Sequence, residues 1–163
     1  MKTLLLLRHA KSSRDDSSLR DFDRPLNDRG KDDAKLIGRY LRNQKLMVDA
    51  VISSPAKRAR RTAELVLKAA NISLEPAFDE RIYEAGLPRL LGIVSELDSS
   101  NNVVLLIGHN PGFEELVESL TGQPVALPTA TLADIDLGID QWPDAQPRSG
   151  KLRALVTPRE LKS

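Results

Sequence analysis

The sequence predicts a three-layer α/β/α fold in which helices cover both faces of a mostly parallel sheet. Three short apolar runs, at residues 4–7, 49–53 and 103–107, end at polar residues and are typical of strands buried on both faces. Segments with helical spacing separate them, and strands that alternate with helices form parallel sheets. We find no repeat, low-complexity tract or linker, so we predict one domain, residues 1–163.

Four helices are predicted between and after these strands. The first follows Asn27, a favourable N-cap residue, and carries its apolar residues on one face. The second begins after Ser54-Pro55, with the proline at a first-turn position, where proline is well tolerated. The third covers about residues 89–97, and the fourth starts near Pro111.

The last part of the chain has a different pattern. Residues 131–137 and 152–156 alternate in part between apolar and polar residues, and a polar, turn-rich segment separates them. We predict that both form edge strands of the same sheet. Trp142, in the segment between them, is predicted to be a packing anchor.

Composition excludes several classes of function. With 24 basic and 23 acidic residues the net charge is +1, so the surface has no general basic footprint for nucleic acid or anionic membrane. The absence of cysteine excludes disulfides, thiolate catalysis and cysteine-ligated metals, and two histidines make a zinc site hard to assemble. The apolar run at residues 4–7 is too short for a signal-peptide core or a membrane span, so we expect a cytoplasmic protein.

Both histidines of the chain directly follow predicted buried strands. His9 lies between Arg8 and the polar pair Lys11-Ser12, and His109 lies within Gly108-His109-Asn110-Pro111. The remaining strand ends at residues 53–55, and Arg58 follows in the first turn of the next helix. Because ligands of open α/β sheets bind beyond the carboxyl ends of the strands, we expect these residues to form one site.

Histidine and arginine in this arrangement are suited to phosphoryl transfer. A neutral imidazole nitrogen is a good nucleophile near pH 7, and its phosphorylated form hydrolyses readily. Guanidinium groups bind phosphate oxygens in a bidentate manner, and their charge stabilises the transition state. The residues therefore predict a phosphatase that needs no cofactor and no metal.

Several ordered blocks of sequence extend this pattern along nearly the whole chain. The blocks are Arg8-His9-Ala10-Lys11-Ser12, Arg24-Pro25-Leu26-Asn27-Asp28-Arg29-Gly30, Ser54-Pro55-Ala56-Lys57-Arg58-Ala59, Ile82-Tyr83-Glu84-Ala85, Gly108-His109-Asn110-Pro111 and Pro128-Thr129-Ala130. Together they resemble the histidine phosphatase (phosphoglycerate mutase-like) superfamily, and within it the SixA type of phosphohistidine phosphatase. The resemblance implies a phosphoglycerate mutase-like fold.

The resemblance also implies a role for each residue that matches the family pattern. His9 would be the phosphorylated nucleophile, Arg8 and Arg58 would hold the phosphoryl oxygens, and His109 would stabilise the transition state. The usual glycine after Arg-His is Ala10 here, as is common in the SixA-like branch, so the turn must accommodate a methyl group.

The proton donor and the substrate contacts are less sharply defined by the sequence. Glu84 is the first candidate for the general acid and Glu80 the second, and a solvated loop carboxylate is the alternative for Glu84. Candidate substrate-binding residues lie in the loops at the strand ends: Lys11, Ser12, Arg24 and Asn110. The acidic stretch around Asp15-Asp16 and Asp21-Asp23 is predicted to be a mobile polar loop.

The preferred substrate is a protein that carries phosphohistidine, such as a histidine-phosphotransfer domain. No long insertion is available to form a lid over a small ligand, so we expect an open pocket. A phosphatase for a small phosphate ester is the alternative; a mutase is disfavoured because it must exclude water. A non-catalytic module that binds phosphoproteins is the alternative from another class, but a pure binder has no use for a nucleophile.

Overall fold

The computed structural model describes residues 1–163 and contains a six-stranded sheet with helices on both faces. The strands are β1 (Lys2–Arg8), β2 (Ala50–Ser53), β3 (Ala77–Phe78), β4 (Val103–Gly108), β5 (Leu132–Leu137) and β6 (Gly150–Val156). The helices are α1 (Asp28–Gln44), α2 (Lys57–Ala70), α3 (Leu87–Ser95), α4 (Gly112–Thr121) and α5 (Pro158–Lys162). No helix has both the length and the apolar character needed to cross a membrane.

The sheet has the strand order β3-β2-β4-β1-β5-β6. Strands β1 to β4 pair in parallel, whereas β5 pairs antiparallel with both β1 and β6. The predicted α/β/α architecture with a mostly parallel sheet is confirmed.

The four leucines of β1 connect the two hydrophobic layers. Leu5 and Leu7 pack in the cluster that contains the inner faces of α1 and α2, whereas Leu4 and Leu6 pack in the cluster that contains α3 and α4. All four are fully buried, and each contributes about 1.5–3 kcal/mol from burial. This continuous apolar run therefore fixes β1 at the centre of the fold.

The starts of α1 and α2 differ in how well their sequence signals match the structure. Asn27 is the N-cap of α1 and accepts a hydrogen bond from the Gly30 N–H (2.8 Å), as predicted. Helix α2 begins at Lys57 with Ala56 as its N-cap, so it starts after Ser54-Pro55 as predicted, but the predicted first-turn position of Pro55 was wrong. The preceding Ser54 is tied to β4 by its N–H and accepts from the Ala56 N–H, so Pro55 lies in a turn before the helix.

The carboxyl-terminal part of the sheet corrects the edge-strand prediction. Strand β5 lies in the interior of the sheet between β1 and β6, so of the two predicted edge strands only β6 is at an edge. The buried pairing of β5 with β1 explains its apolar residues. Strand β3 forms the opposite edge of the sheet. It has only two residues, which are too few to show the alternation that predicts a strand. Trp142 is fully buried and donates to the carbonyl of Asn101, as expected for a packing anchor.

Candidate active site

The carboxyl ends of three parallel strands bring the two histidines together. Arg8 of β1 is in register with Gly108 of β4, so His9 and His109 each stand one residue beyond a paired position. Their ring centroids are 5.1 Å apart. The neighbouring strand β2 ends beside them, and Ser54, the residue directly after β2, contacts the His109 ring.

The pocket at this edge has a volume of about 220 Å³ and is lined entirely by polar residues. The lining residues are Arg8, His9, Lys11, Ser12, Arg14, Arg24, Arg58, His109, Asn110 and Thr129. Eight of the nine candidate residues from the sequence lie here, and the ninth, Glu84, does not. Arg14 and Thr129 were not anticipated.

Hydrogen bonds define which nitrogen of His9 is available for reaction. Its Nδ1 lies 2.7 Å from the carbonyl oxygen of Ala10. Because a carbonyl oxygen only accepts, Nδ1 carries the proton and donates it. Nε2 then holds a lone pair, and Arg58 Nε donates to it at 3.3 Å. Nε2 is therefore the ring nitrogen with an available lone pair.

The turn after His9 accommodates the methyl group of Ala10. Ala10 is fully buried, and its N–H donates to Thr62 Oγ1 at 3.0 Å. The Thr62 hydroxyl in turn donates to the carbonyl of Arg58. The loop that carries His9 is thus held directly against the helix that carries Arg58.

His109 has one ring nitrogen bound and the other without a partner. Its Nε2 lies 2.8 Å from Ser54 Oγ. Its Nδ1 is buried and makes no hydrogen bond in the protein. A buried polar atom without a partner is costly, so this nitrogen is suited to a bound phosphoryl oxygen.

Burial keeps both histidines neutral at neutral pH. Removal from water, with smaller contributions from His109, Arg58 and Arg8, lowers the pKa of His9 from 6.5 to about 3, against the opposing effect of the hydrogen bond to Ala10. Burial, followed by the charge of Arg58, lowers the pKa of His109 to about 4. The neutral form of an imidazole is the form that can act as a nucleophile.

These pKa values predict that the protein loses stability as the pH falls from 6.5 to about 4.5. Both folded-state values lie below the unfolded value of 6.5, so the unfolded chain binds more protons in this window and stability is present above it. The thermal midpoint followed by circular dichroism should fall by several degrees, since about 1 kcal/mol corresponds to about 2–4 °C at this size. A His9→Gln/His109→Gln variant should show a flatter profile. An equally steep profile would contradict this origin.

The two arginines next to His9 are held in different ways. Arg58 donates from its two terminal nitrogens to the carbonyl and the carboxylate of Asp21, at 2.7 and 3.0 Å. Arg8 donates to the carbonyl of Leu127 at 2.9 Å, and its Nε is buried without a partner. This Nε is therefore free to bind an oxygen of a ligand.

The backbone of Leu127 holds two pocket side chains in place, which the sequence did not predict. Its carbonyl accepts from both Arg8 and Asn110 Nδ2, and its N–H donates to the carboxylate of Glu114 at 2.7 Å. Glu114 lies in the first turn of α4, and its charge raises the pKa of Arg8 against the stronger effect of burial. The segment before β5 thus positions two pocket residues.

Asp21 is the residue that the sequence analysis misjudged. It belongs to a 3₁₀ turn, Asp21–Asp23, and its carboxylate accepts from Tyr83 (2.6 Å), Arg58 (3.0 Å) and Arg24 (3.1 Å). The Tyr83 hydrogen bond, together with the arginines, holds the pKa of Asp21 well below its usual range. Only the spacing of Asp21 and Arg24 was a signal in the sequence, because Arg58 and Tyr83 are distant along the chain.

The loop that carries Lys11 and Ser12 is fixed by its neighbours. Ser12 pairs with Leu26 in an isolated antiparallel bridge, and its hydroxyl accepts from Arg24 at 2.8 Å. The carbonyl of Lys11 accepts from the N–H of Asn27. A Cβ on Gly30 would lie 2.1 Å from that same oxygen, so only glycine permits this approach.

The candidate acids lie outside the pocket lining. Glu84 and Glu80 are both exposed. Glu84 has a φ of 57°, an uncommon conformation for a residue other than glycine, and follows Tyr83, whose ring packs edge-on against His109. No group of three or more His, Cys, Asp or Glu side chains is close enough together to hold a metal ion.

Comparison with known proteins identifies relatives along most of the chain. The model of the histidine phosphatase superfamily (branch 1) matches residues 4–102. An uncharacterized chloroplastic protein of Arabidopsis thaliana is 33% identical over 170 residues, which cover 96% of this chain and 78% of that protein.

Two solved structures are similar over nearly their full lengths. A protein of Agrobacterium tumefaciens assigned as a SixA phosphohistidine phosphatase superimposes with a TM-score of 0.83 at 27% identity, covering 96% of this chain and 98% of that one. The protein histidine phosphatase SixA in complex with tungstate gives a TM-score of 0.80 at 25% identity, covering 98% and 99%.

Proposed function

Because this chain belongs to the histidine phosphatase superfamily and is a phosphatase, we propose that it hydrolyses phosphohistidine on a protein through a phosphorylated His9. One observation carries the proposal. His9 is neutral, its tautomer leaves Nε2 unprotonated, and this nitrogen faces Arg58 in a pocket without apolar side chains. A cytoplasmic location, expected from the sequence, stays a prediction.

In the first step His9 Nε2 attacks the phosphorus atom of the substrate. A bond forms between Nε2 and phosphorus, the bond from phosphorus to the imidazole of the substrate breaks, and that imidazole, protonated on its other nitrogen, leaves as a neutral group. The Nδ1–H of His9 continues to donate a hydrogen bond to the carbonyl oxygen of Ala10. This hydrogen bond stabilises the positive charge that the ring acquires. The hydrogen bond from Arg58 Nε to Nε2 is lost, and this N–H becomes available to a phosphoryl oxygen.

In the second step water attacks the phosphorylated His9. A bond forms from the water oxygen to phosphorus, and the bond between phosphorus and Nε2 breaks. The products are orthophosphate and free His9, and the proton released by water passes to solvent or to the departed imidazole. Two nitrogens without partners in the protein can donate to the phosphoryl oxygens: Arg8 Nε, and His109 Nδ1 in the tautomer that carries a proton on it. This route requires no metal.

A protein substrate is supported by the SixA neighbours, one of which is a protein histidine phosphatase. The test is to measure turnover of a phosphohistidine-bearing phosphotransfer domain and of a panel of small phosphate esters in parallel, with EDTA present. We expect kcat/KM for the phosphoprotein to exceed that for every ester. Faster turnover of an ester would assign the alternative substrate class, and binding without turnover of any substrate would identify a non-catalytic module.

The same assay tests the absence of a metal requirement. Activity should survive EDTA and should be inhibited by vanadate, which mimics pentacoordinate phosphorus. Loss of activity in EDTA that a divalent ion restores would overturn the metal-independent mechanism.

The proton donor is tested by comparing leaving groups. Asp21 is unsuited to this role because its depressed pKa keeps it ionised. Glu84 stays the predicted donor, and Glu84→Gln should therefore slow alkyl phosphates at least about tenfold more than aryl phosphates, whose leaving groups need less protonation. Glu80→Gln is measured in parallel, because Glu80 is the second candidate for the proton donor. An unchanged ratio of rates in Glu84→Gln would assign the proton to Glu80 or to solvent.

A further inference from the structure

Two exposed cations line the rim of the pocket beside Arg8 and Arg58, the arginines proposed to hold the transferred phosphoryl group. These rim cations are Lys11 and Arg14, which both line the pocket and are exposed to solvent. We propose, building on the phosphatase function above, that they form a subsite for a second anionic group of the substrate. This group is a carboxylate or a phosphate next to the phosphoryl group that is removed.

The charge of the pocket supports this subsite. Five cations line the pocket and no carboxylate does. Two acidic residues act on these cations: Asp21 pairs with Arg24 and Arg58, and the charge of Glu114 acts on Arg8. A phosphoryl group carries about −1.5 to −2. Positive charge therefore remains unbalanced even after the phosphoryl group is bound.

The unbalanced charge lies on the rim cations. Arg58 and Arg24 each bind Asp21, and Arg8 binds the carbonyl of Leu127. Neither Lys11 nor Arg14 makes a salt bridge or a side-chain hydrogen bond within the protein. Each therefore meets a ligand without first breaking an internal contact.

The backbone that carries the rim cations is rigidly held, so their positions are defined. Lys11 lies against Gly30 at the start of α1, at a distance that admits no side chain on the glycine. Beyond it, Ser12 bridges Leu26 and the N–H of Ser13 donates to the carbonyl of Pro25 at 2.8 Å. A loop anchored in this way keeps both cations beside the pocket before substrate arrives, which reduces the entropic cost of binding.

The kinetic experiment uses two matched pairs of substrates. The first pair is a phosphohistidine peptide with glutamate or glutamine beside the phosphohistidine. The second is propane-1,3-diol bisphosphate and its monophosphate. For the wild type we expect kcat/KM to favour the more anionic member by about tenfold, and the preference should decline with added salt because the cations are exposed. A preference in the first pair indicates a protein carboxylate, and one in the second pair a phosphate.

The variant Lys11→Ala/Arg14→Ala should bring these ratios close to 1. Arg42→Ala, which removes an exposed cation at the far end of α1, is the matched control and should retain the wild-type ratios. Equal rates within both pairs for the wild type, or a preference that survives the double substitution, would overturn the subsite.

A binding measurement separates this proposal from the proposed phosphatase function. Calorimetry with methylenebisphosphonate and methylphosphonate needs no turnover. The wild-type chain should bind the bisphosphonate about tenfold more tightly, and Lys11→Ala/Arg14→Ala should remove the difference. A chain that fails to turn over any substrate but shows this difference would retain the subsite and lose the catalytic proposal. Equal affinities in the wild type would overturn the subsite even where catalysis is intact.

Discussion

Replacement of His9 by alanine is expected to reduce turnover by more than about 1,000-fold, because removal of the nucleophile leaves only binding and electrostatic contributions. Native enzyme mixed with labelled phosphohistidine protein should form an adduct that is stable in base and labile in acid. His9→Ala should form none. The measurements are steady-state kcat/KM and the label retained on the protein after quenching in alkali.

A folding control is needed because His9 is 6% exposed and its Nδ1 hydrogen bond is buried. His9→Asn keeps a polar side chain in the same place and should be as inactive as His9→Ala, while its thermal midpoint stays closer to that of the wild type. If either variant retains more than a few per cent of activity, or if the adduct forms on another residue, His9 is not the nucleophile.

Replacement of Arg58 by lysine is expected to lower kcat/KM by about 30- to 1,000-fold, equivalent to about 2–4 kcal/mol. Arg58 donates from three nitrogens, one to His9 Nε2 and two to Asp21. An ammonium group cannot donate to both at once with the same geometry, and it cannot bind phosphoryl oxygens as a planar fork. Both kcat and KM should change, since the charge acts on the bound substrate and on the transition state.

Arg61→Lys provides a matched control on the same helix. Arg61 is partly exposed and pairs with Glu64, away from the pocket lining. Its substitution should leave kcat/KM within about twofold, since exposed ion pairs contribute about 0–1 kcal/mol. If Arg58→Lys were as active as Arg61→Lys, bidentate binding by Arg58 would be refuted.

Asp21 holds Arg58 in place when no substrate is bound. Its carboxylate, held by Arg58, Arg24 and Tyr83, connects the 3₁₀ turn at Asp21–Asp23 to the base of the pocket. This pairing also offsets part of the repulsion between the clustered arginines. Arg58 is therefore ordered before substrate binds, which lowers the free-energy cost of reorganising the site during a reaction.

Much of the fold was determined by local patterns in the sequence. The leucine run of β1 and the apolar run of β4 identify strands buried on both faces, and parallel pairing then places the residues after them at one edge. For that reason His9 and His109 were expected to lie together, and their rings are 5.1 Å apart. The N-cap at Asn27 was equally local, since its partner is three residues away.

Other features were decided only by contacts between distant parts of the chain. The interior position of β5 depends on its pairing with β1, more than 120 residues earlier, which no periodicity within β5 encodes. The role of Asp21 depends on Arg58 and Tyr83, and the position of Arg8 depends on the carbonyl of Leu127. The reactive tautomer of His9 follows from the backbone path at Ala10. Sequence periodicity specifies which face of an element is buried, whereas hydrogen-bond partners across the pocket are specified only when the elements pack.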